Sequence, residues 1–256
     1  MKSKSGIATT IMLLASASQT AQADDGIVTD RPDFVESSET VGAHRFQLEA
    51  GVERDTGDED GNAWLTPTLL RYGIADNWEV RLESDGYSRV DSGTRQVSGW
   101  NDIALGVKYH VADSGSNGAP SMAWLFHVDL PTGARDIGGH GARPSLRWVA
   151  EWELPDDFSI GAMPGVIYDS TDDGHRFAAG IAGVTFGKDF GERAHAFVEL
   201  AAPQIAASRN GGTQASFDTG GSYKLDADTQ IDAAVFLGLN SRTPDAAVGI
   251  GISKRW

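Results

Sequence analysis

Along most of the chain, large apolar residues fall at every second position. Trp78, Val80 and Leu82 alternate with Glu79, Arg81, Glu83 and Asp85. Ile103, Leu105, Val107 and Tyr109 alternate with Ala104, Gly106, Lys108 and His110. Trp124, Phe126, Val128 and Leu130 alternate with Ala123, Leu125, His127 and Asp129, and Leu146, Trp148, Ala150 and Trp152 with Arg147, Val149, Glu151 and Glu153. A period of two means a β-strand with two unlike faces. The pattern predicts twelve strands, near 44–54, 62–73, 78–87, 101–111, 121–132, 143–154, 157–169, 175–188, 193–203, 213–225, 229–240 and 247–256. Each is about ten residues, enough to cross a bilayer when tilted. Segment 175–188 has no clean parity and is expected to carry a bulge at Gly180 or Gly183.

A soluble antiparallel sheet alternates too. Two features favour a membrane barrel. One face of the strands collects charges of both signs, while the other carries none through mid-strand. The connections also alternate in length. They are tight at Ala75–Asn77, Pro155–Asp156, Phe190–Glu192 and Asp226–Asp228, and longer at Asp55–Gly61, Ser88–Gly99, Gly133–Gly141 and Ala206–Gly212. Short turns at one rim and long loops at the other belong to outer-membrane barrels. Ala112–Ala119 is an exception, long where a tight turn is expected. The fold class expected is all-β, an antiparallel transmembrane β-barrel of about 12 strands over 44–256, with short periplasmic turns.

The ends of the chain agree. Val248, Ile250 and Ile252 alternate with glycines and Ser253, and the last residue is Trp256. This ending resembles the closing strand of bacterial outer-membrane barrels, which the barrel-assembly machinery reads. Lys254 departs from that pattern, but at a membrane rim a lysine can snorkel. Residues 1–23 join Lys2 and Lys4 to an apolar run and an Ala21-Gln22-Ala23 cleavage site, the pattern of a cleaved signal peptide. A Gram-negative outer-membrane location is expected, with outer-membrane lipid as a partner.

Composition narrows the chemistry. The formal charge is −15, and there is no cysteine. No basic stripe points to nucleic acid, and thiolate metal sites and disulfides are excluded. Six histidines, His44, His110, His127, His140, His175 and His195, show no metal-ligand spacing, and neither H-E-x-x-H nor G-x-S-x-G is present. No cofactor, metal site or catalytic residue is expected. His195 alone merits inspection, for an enzyme that would pair a serine and a histidine on the outer wall.

The segment Thr29-Asp30-Arg31-Pro32-Asp33-Phe34-Val35-Glu36-Ser37 precedes the first strand. It resembles the T-D-R-P-D-x-T-E-S start of the mature chain in a family of bacterial outer-membrane barrels described as transporters of the meta-pathway of phenol degradation. Val35 stands where that pattern commonly has threonine. The resemblance implies an outer-membrane protein that passes small molecules, aromatic or poorly soluble ones among them. On physical grounds the charged segment 24–43 is unsuited to lipid. It either lies on the periplasmic rim, enters the lumen and pairs with wall charges, or is a loose tail. Its motif residues are Asp30, Arg31, Pro32, Asp33, Glu36 and Ser37.

The inward parity collects the pore-lining candidates Arg71, Glu79, Arg81, Glu83, Asp85, Lys108, His127, Asp129, Arg147 and Glu151. A channel for a small-molecule solute needs such a wall, but charges paired across a narrow lumen can also be purely structural. The function expected is an outer-membrane pore or transporter. The alternative is a non-transporting barrel, either a lipid-modifying enzyme or a structural protein.

Overall fold

The computed structural model describes residues 26–57, 61–93, 95–115, 117–171 and 173–256. The expected signal peptide lies outside them. Sixteen strands form one antiparallel sheet: β1 (Phe46–Gly57), β2 (Gly61–Leu65), β3 (Thr68–Ala75), β4 (Trp78–Ser84), β5 (Tyr87–Asp91), β6 (Gln96–Trp100), β7 (Ile103–Ala112), β8 (Ser121–Leu130), β9 (Arg143–Leu154), β10 (Phe158–Ala162), β11 (Gly165–Ser170), β12 (Arg176–Phe190), β13 (Ala194–Ile205), β14 (Gln214–Asp226), β15 (Thr229–Gly238) and β16 (Ala246–Arg255). Four staves of the wall are each built from two successive strands, β2 with β3, β4 with β5, β6 with β7 and β10 with β11. The wall therefore has twelve staves. Two of the breaks contain Pro67 and Pro164, which have no N–H for a ladder. β16 pairs with β1 from Gln47↔Arg255 to Thr56↔Ala246, and the sheet closes on itself. Closure leaves no open edge, which hydrocarbon would not tolerate.

The outer face follows the predicted parity. Val80, Leu82, Leu105, Phe126, Leu200, Ile250 and Ile252 are exposed on it. Aromatic pairs gird both rims. Trp78–Tyr109, with centroids 4.5 Å apart, and Phe46–Trp256 lie toward the rim that carries the chain ends, and Tyr87–Trp100 lies toward the opposite one. Lys254 sits at the terminal rim, where its Nζ donates to Thr229 Oγ1 at 2.8 Å.

Four expectations are corrected. The supposed loop Ser88–Gly99 is largely strand, since β5 and β6 pair from Tyr87↔Trp100 to Asp91↔Gln96. β1 likewise runs through Asp55 to Gly57. Both stretches are polar on both faces, so alternation could not reveal them; ladder hydrogen bonds satisfy their backbone beyond the apolar belt. The bulge lies on β13, where Ala202 and Ile205 oppose Ala182 and Gly180, so the extra residue falls near Pro203 rather than on the predicted segment. β12 does alternate. Phe177, Ala179 and Ile181 are buried while Val184 and Phe186 are exposed. Its parity is invisible in the sequence because both of its faces are apolar.

Candidate functional site

Residues 26–43 occupy the inside of the barrel. The segment enters at the terminal rim, where Ile27 N–H donates to the Ala227 carbonyl at 2.7 Å. It returns to that rim where Thr40 Oγ1 donates to the Asp76 carbonyl and His44 N–H to that of Gly73. It has no regular secondary structure, so its N–H groups need partners other than a ladder. Wall carboxylates supply them. Glu49 accepts from Asp30 and Arg31, Glu199 from Phe34 and Val35 at 2.8 Å each, Glu151 from Ser38 at 2.6 Å, and Glu79 from Val41 at 3.0 Å.

The segment's own carboxylates face wall cations. Asp30 lies 2.9 Å from Lys108 Nζ, 2.8 Å from Arg81 and 3.3 Å from Arg71. Glu36 bridges Arg81 at 2.7 Å and Arg147 at 2.6 Å. Arg31 reaches across to Asp232 at 3.1 Å. Arg71 also holds Glu49 and Glu79. Arg71, Lys108, Glu49 and Glu79 have no solvent exposure. In this dry setting a charge stripped of its partner would cost several kcal/mol, about 3–5 for one broken buried pair.

Electrostatics inside the segment are uneven. Burial alone would raise the Asp30 pKa, but Arg71, Lys108 and Arg81 outweigh it and hold the carboxyl well below the usual range. Burial likewise opposes ionisation of Glu36, yet Arg81 and Arg147 bring its pKa down to about 2. Asp33 goes the other way. Burial, and then the neighbouring Glu199, Glu151 and Asp30 carboxylates, push its pKa well above normal.

The lumen wall is largely polar: charged side chains line β1, β3, β4 and β7, and Glu199, Asp218 and Asp232 continue them on β13, β14 and β15. An apolar patch interrupts it, where Ala123, Leu125, Val149, Met163, Phe177, Ala179, Ile181, Phe197 and Ala201 are buried on the inner side. Val35 packs with Ala123, Leu125, Val149 and Met163, and Phe34 lies against that cluster. Gly183 makes room for this contact, since a Cβ there would come 2.7 Å from Val35 and 3.0 Å from Phe34. Gly251 does the same for Arg31, whose guanidinium would meet a Cβ at 2.6 Å.

Cavities lie on either side of the segment. One of about 630 Å³ opens at the terminal rim, bordered by Val41, Arg45, Asp76 and Arg255. Toward the opposite rim, cavities of about 250 and 220 Å³ are lined by Glu83, Asp85 and Arg147, with His127 and Asp129 in the first. A further one of about 610 Å³ lies near Phe177, Gln204 and Asn210.

The residues picked from the sequence fall into two groups. Arg71, Glu79, Arg81, Lys108, Arg147 and Glu151 contact the segment through its Asp30, Glu36 and main chain. Ser37 Oγ accepts from Glu39 N–H, Pro32 follows a cis peptide bond from Arg31, and both belong to the same inner run. Glu83, Asp85, His127 and Asp129 instead border the cavities toward the opposite rim, with His127 Nδ1 3.7 Å from Glu83. Sequence reasoning missed Gln47, Asp218, Gln230 and Ser253, all buried inside. Their parity relative to Glu49, Glu199 and Asp232 was the available signal. His195 also lies inward rather than on the outer wall, at the terminal rim, bonded to Asp189 at 2.7 Å. Ser159 Oγ and His195 Nε2 both approach the Cβ position of Gly187, at 2.5 and 3.1 Å, but no hydrogen bond joins them among the described residues.

The family profile described as "Putative MetA-pathway of phenol degradation" matches residues 29–256, from inside the luminal segment to the last residue of the chain. The chain belongs to this family. A sequence search of curated proteins finds no match. Solved structures share the fold at low identity. An outer membrane channel from Pseudomonas putida F1 is 13% identical with a TM-score of 0.67, covering 86% of this chain and 98% of that one. The KdgM porin is 16% identical with a TM-score of 0.55, covering 81% and 98%. The NanC porin is 11% identical with a TM-score of 0.54, covering 82% and 98%. In this member of the phenol-degradation family, then, a porin-like barrel is filled by the stretch with which the family match begins.

Proposed function

We propose that the protein is an outer-membrane channel for small organic solutes with an apolar body, and that residues 26–43 are its gate. The apolar patch on the inner side of β8, β9, β12 and β13 carries the reading. An ordinary porin interior is polar and water-filled, whereas Leu125, Val149, Met163 and Phe197 have little or no exposure inside this barrel. With Phe34 and Val35 withdrawn, those side chains would offer an apolar track facing Lys108, Arg81 and Arg71. Such a lumen suits an aromatic or aliphatic body bearing one polar group. The outer membrane channel and the porins that share its fold support transport, and the family description supports an aromatic solute. The terminal rim would face the periplasm, as tight turns do in outer-membrane barrels.

The test compares the full barrel with one lacking residues 26–43 in planar bilayers and in liposome swelling. Removing the gate should raise conductance and speed entry of a phenol-sized solute over a sugar of equal size. Equal entry of both solutes would sink the apolar track. A second reading, a structural barrel closed by its own charges, draws on the buried ion network around Asp30. Absence of conductance with and without the segment would favour it.

A further inference from the structure

Glu39, His110 and Asp113 each present one ligand atom, and the three atoms lie within 4.8 Å of one another. They come from different parts of the molecule. Glu39 belongs to the luminal segment, His110 to the end of β7, and Asp113 to the turn after it. The imidazole is oriented from behind, because its Nδ1 lies 3.0 Å from the Ser38 carbonyl. A carbonyl only accepts, so the proton of a neutral ring sits on Nδ1 and the lone pair on Nε2. Nε2 faces Asp113 Oδ1 at 3.0 Å. A lone pair against a carboxylate oxygen needs a cation between them, either a second ring proton or a metal ion. A backbone carbonyl on the far nitrogen is also the support that metal-bound imidazoles commonly have.

The donor set narrows the ion. One imidazole and two carboxylates suit a borderline divalent ion such as zinc, whereas magnesium and calcium prefer oxygen alone. Zinc bonds of about 2.1 Å place tetrahedral ligand atoms roughly 3.4 Å apart. The Nε2–Asp113 separation is already near that spacing, while Glu39 Oε1 lies 4.0 Å from Nδ1 and has to turn toward Nε2 to complete the set. The Glu39 and Asp113 side chains are 44% and 89% exposed and can swing inward. The cavity of about 630 Å³ at the terminal rim is lined by both carboxylate residues and gives an ion access.

We propose that these three residues form a zinc site that latches the luminal segment shut. Its consequence for gating rests on the reading of residues 26–43 as a gate; the binding itself does not. All three ligands are together only when the segment is docked. Zinc therefore binds the closed state more tightly and shifts the population toward it.

Two measurements separate the site from its effect. Titration calorimetry of the full-length protein in detergent with zinc chloride should show one site that magnesium chloride does not fill. His110→Ala should weaken it about 100-fold or more, since loss even of a group that merely supports a ligand costs roughly 10–100-fold. Glu39→Gln should weaken it at least about tenfold, with heat-modifiable migration confirming that both variants fold. In planar bilayers, zinc on the terminal-rim side should lengthen closed times in the wild type and leave His110→Ala unchanged; zinc on the opposite side should do nothing. Zinc affinity that is the same in wild type, His110→Ala and Glu39→Gln would overturn the site. Binding that needs His110 but not Glu39, with no effect on closed times, would overturn the latch. Binding that needs both residues, in a barrel that never conducts even without residues 26–43, would uphold the site and reject the gate.

Discussion

Replacing Asp30 by asparagine tests whether the luminal segment is held by charge. The change keeps the shape of the side chain and removes its negative charge. The three cations it faces are not affected equally. Arg71 keeps Glu49 and Glu79, and Arg81 keeps Glu36. Lys108 loses its carboxylate partner and is left with the Ser37 and Glu39 carbonyls, at 2.7 and 3.3 Å. Because Lys108 is fully buried, docking should weaken by about 3–5 kcal/mol, the cost of breaking one buried pair. At 1.4 kcal/mol per tenfold, the undocked population should rise by roughly two to three and a half orders of magnitude. The chain has no cysteine, so Val35→Cys supplies a clean reporter that is 4% exposed when docked. Its labelling by an impermeant maleimide should accelerate about 100-fold or more in the Asp30→Asn background. Adding Lys108→Met should recover part of the loss, since replacing both charges removes the orphan. Equal labelling rates with and without Asp30→Asn, in barrels that migrate as folded, would refute the charge-held gate.

Other outcomes are open to test. Asp33 has a raised pKa when docked, so its penalty on docking is absent below the free-carboxylate value near 3.9 and grows as pH rises toward the docked value. Asp33→Asn should therefore tighten docking at pH 7 and slow Val35→Cys labelling, measured against an exposed reference cysteine at the same pH. Asp30 and Glu36 have the opposite sign: their contribution is present at neutral pH and is lost only as pH falls below the ordinary carboxylate range. Trp256→Asp should lower the yield of folded barrel in the outer membrane, because it puts a charge at the rim in place of the ring that packs on Phe46 across the seam, with centroids 5.9 Å apart; normal heat-modifiable migration would count against it. Cysteines at Ser92 and Gly211 should label on whole cells, and those at Asp76 and Asp226 only after the outer membrane is opened. Glu83→Gln with Asp85→Asn should move the reversal potential of the conducting barrel away from cation preference, more strongly at low salt, because these carboxylates border the cavities toward the outer rim.

The wall was largely legible because lipid imposes a simple rule. Every second residue of a stave such as 103–112 must be apolar, and no water is present to forgive an exception. The rule lapses beyond the bilayer, which is why β5 and β6 read as loop. It also fails where the inner face is apolar, as in β12. The interior partners were only half legible. Parity put Arg71, Glu79, Arg81 and Lys108 inside, but it could not say that they would meet Asp30 and Glu36, which lie in a segment without periodicity. The Glu39–His110–Asp113 cluster was invisible for the same reason. Its members are joined by the docking of a chain that obeys no repeat, and Glu39 stands far from the other two along the sequence.

The double-sided character of β12 matters before the barrel exists. From Phe177 to Phe186 the chain carries no charge and no proline, and it reads Phe-Ala-Ala-Gly-Ile-Ala-Gly-Val-Thr-Phe. In the finished protein one side meets lipid and the other the packed interior. In an unfolded precursor crossing an aqueous compartment, both sides are bare, and such a stretch has the composition of a self-associating β segment. Gly180 and Gly183 lower that tendency, as does the flanking Arg176, but no gatekeeping charge interrupts the run. This segment thus makes the precursor depend on a holding chaperone, and Ala178→Lys would trade membrane fit for solubility in transit.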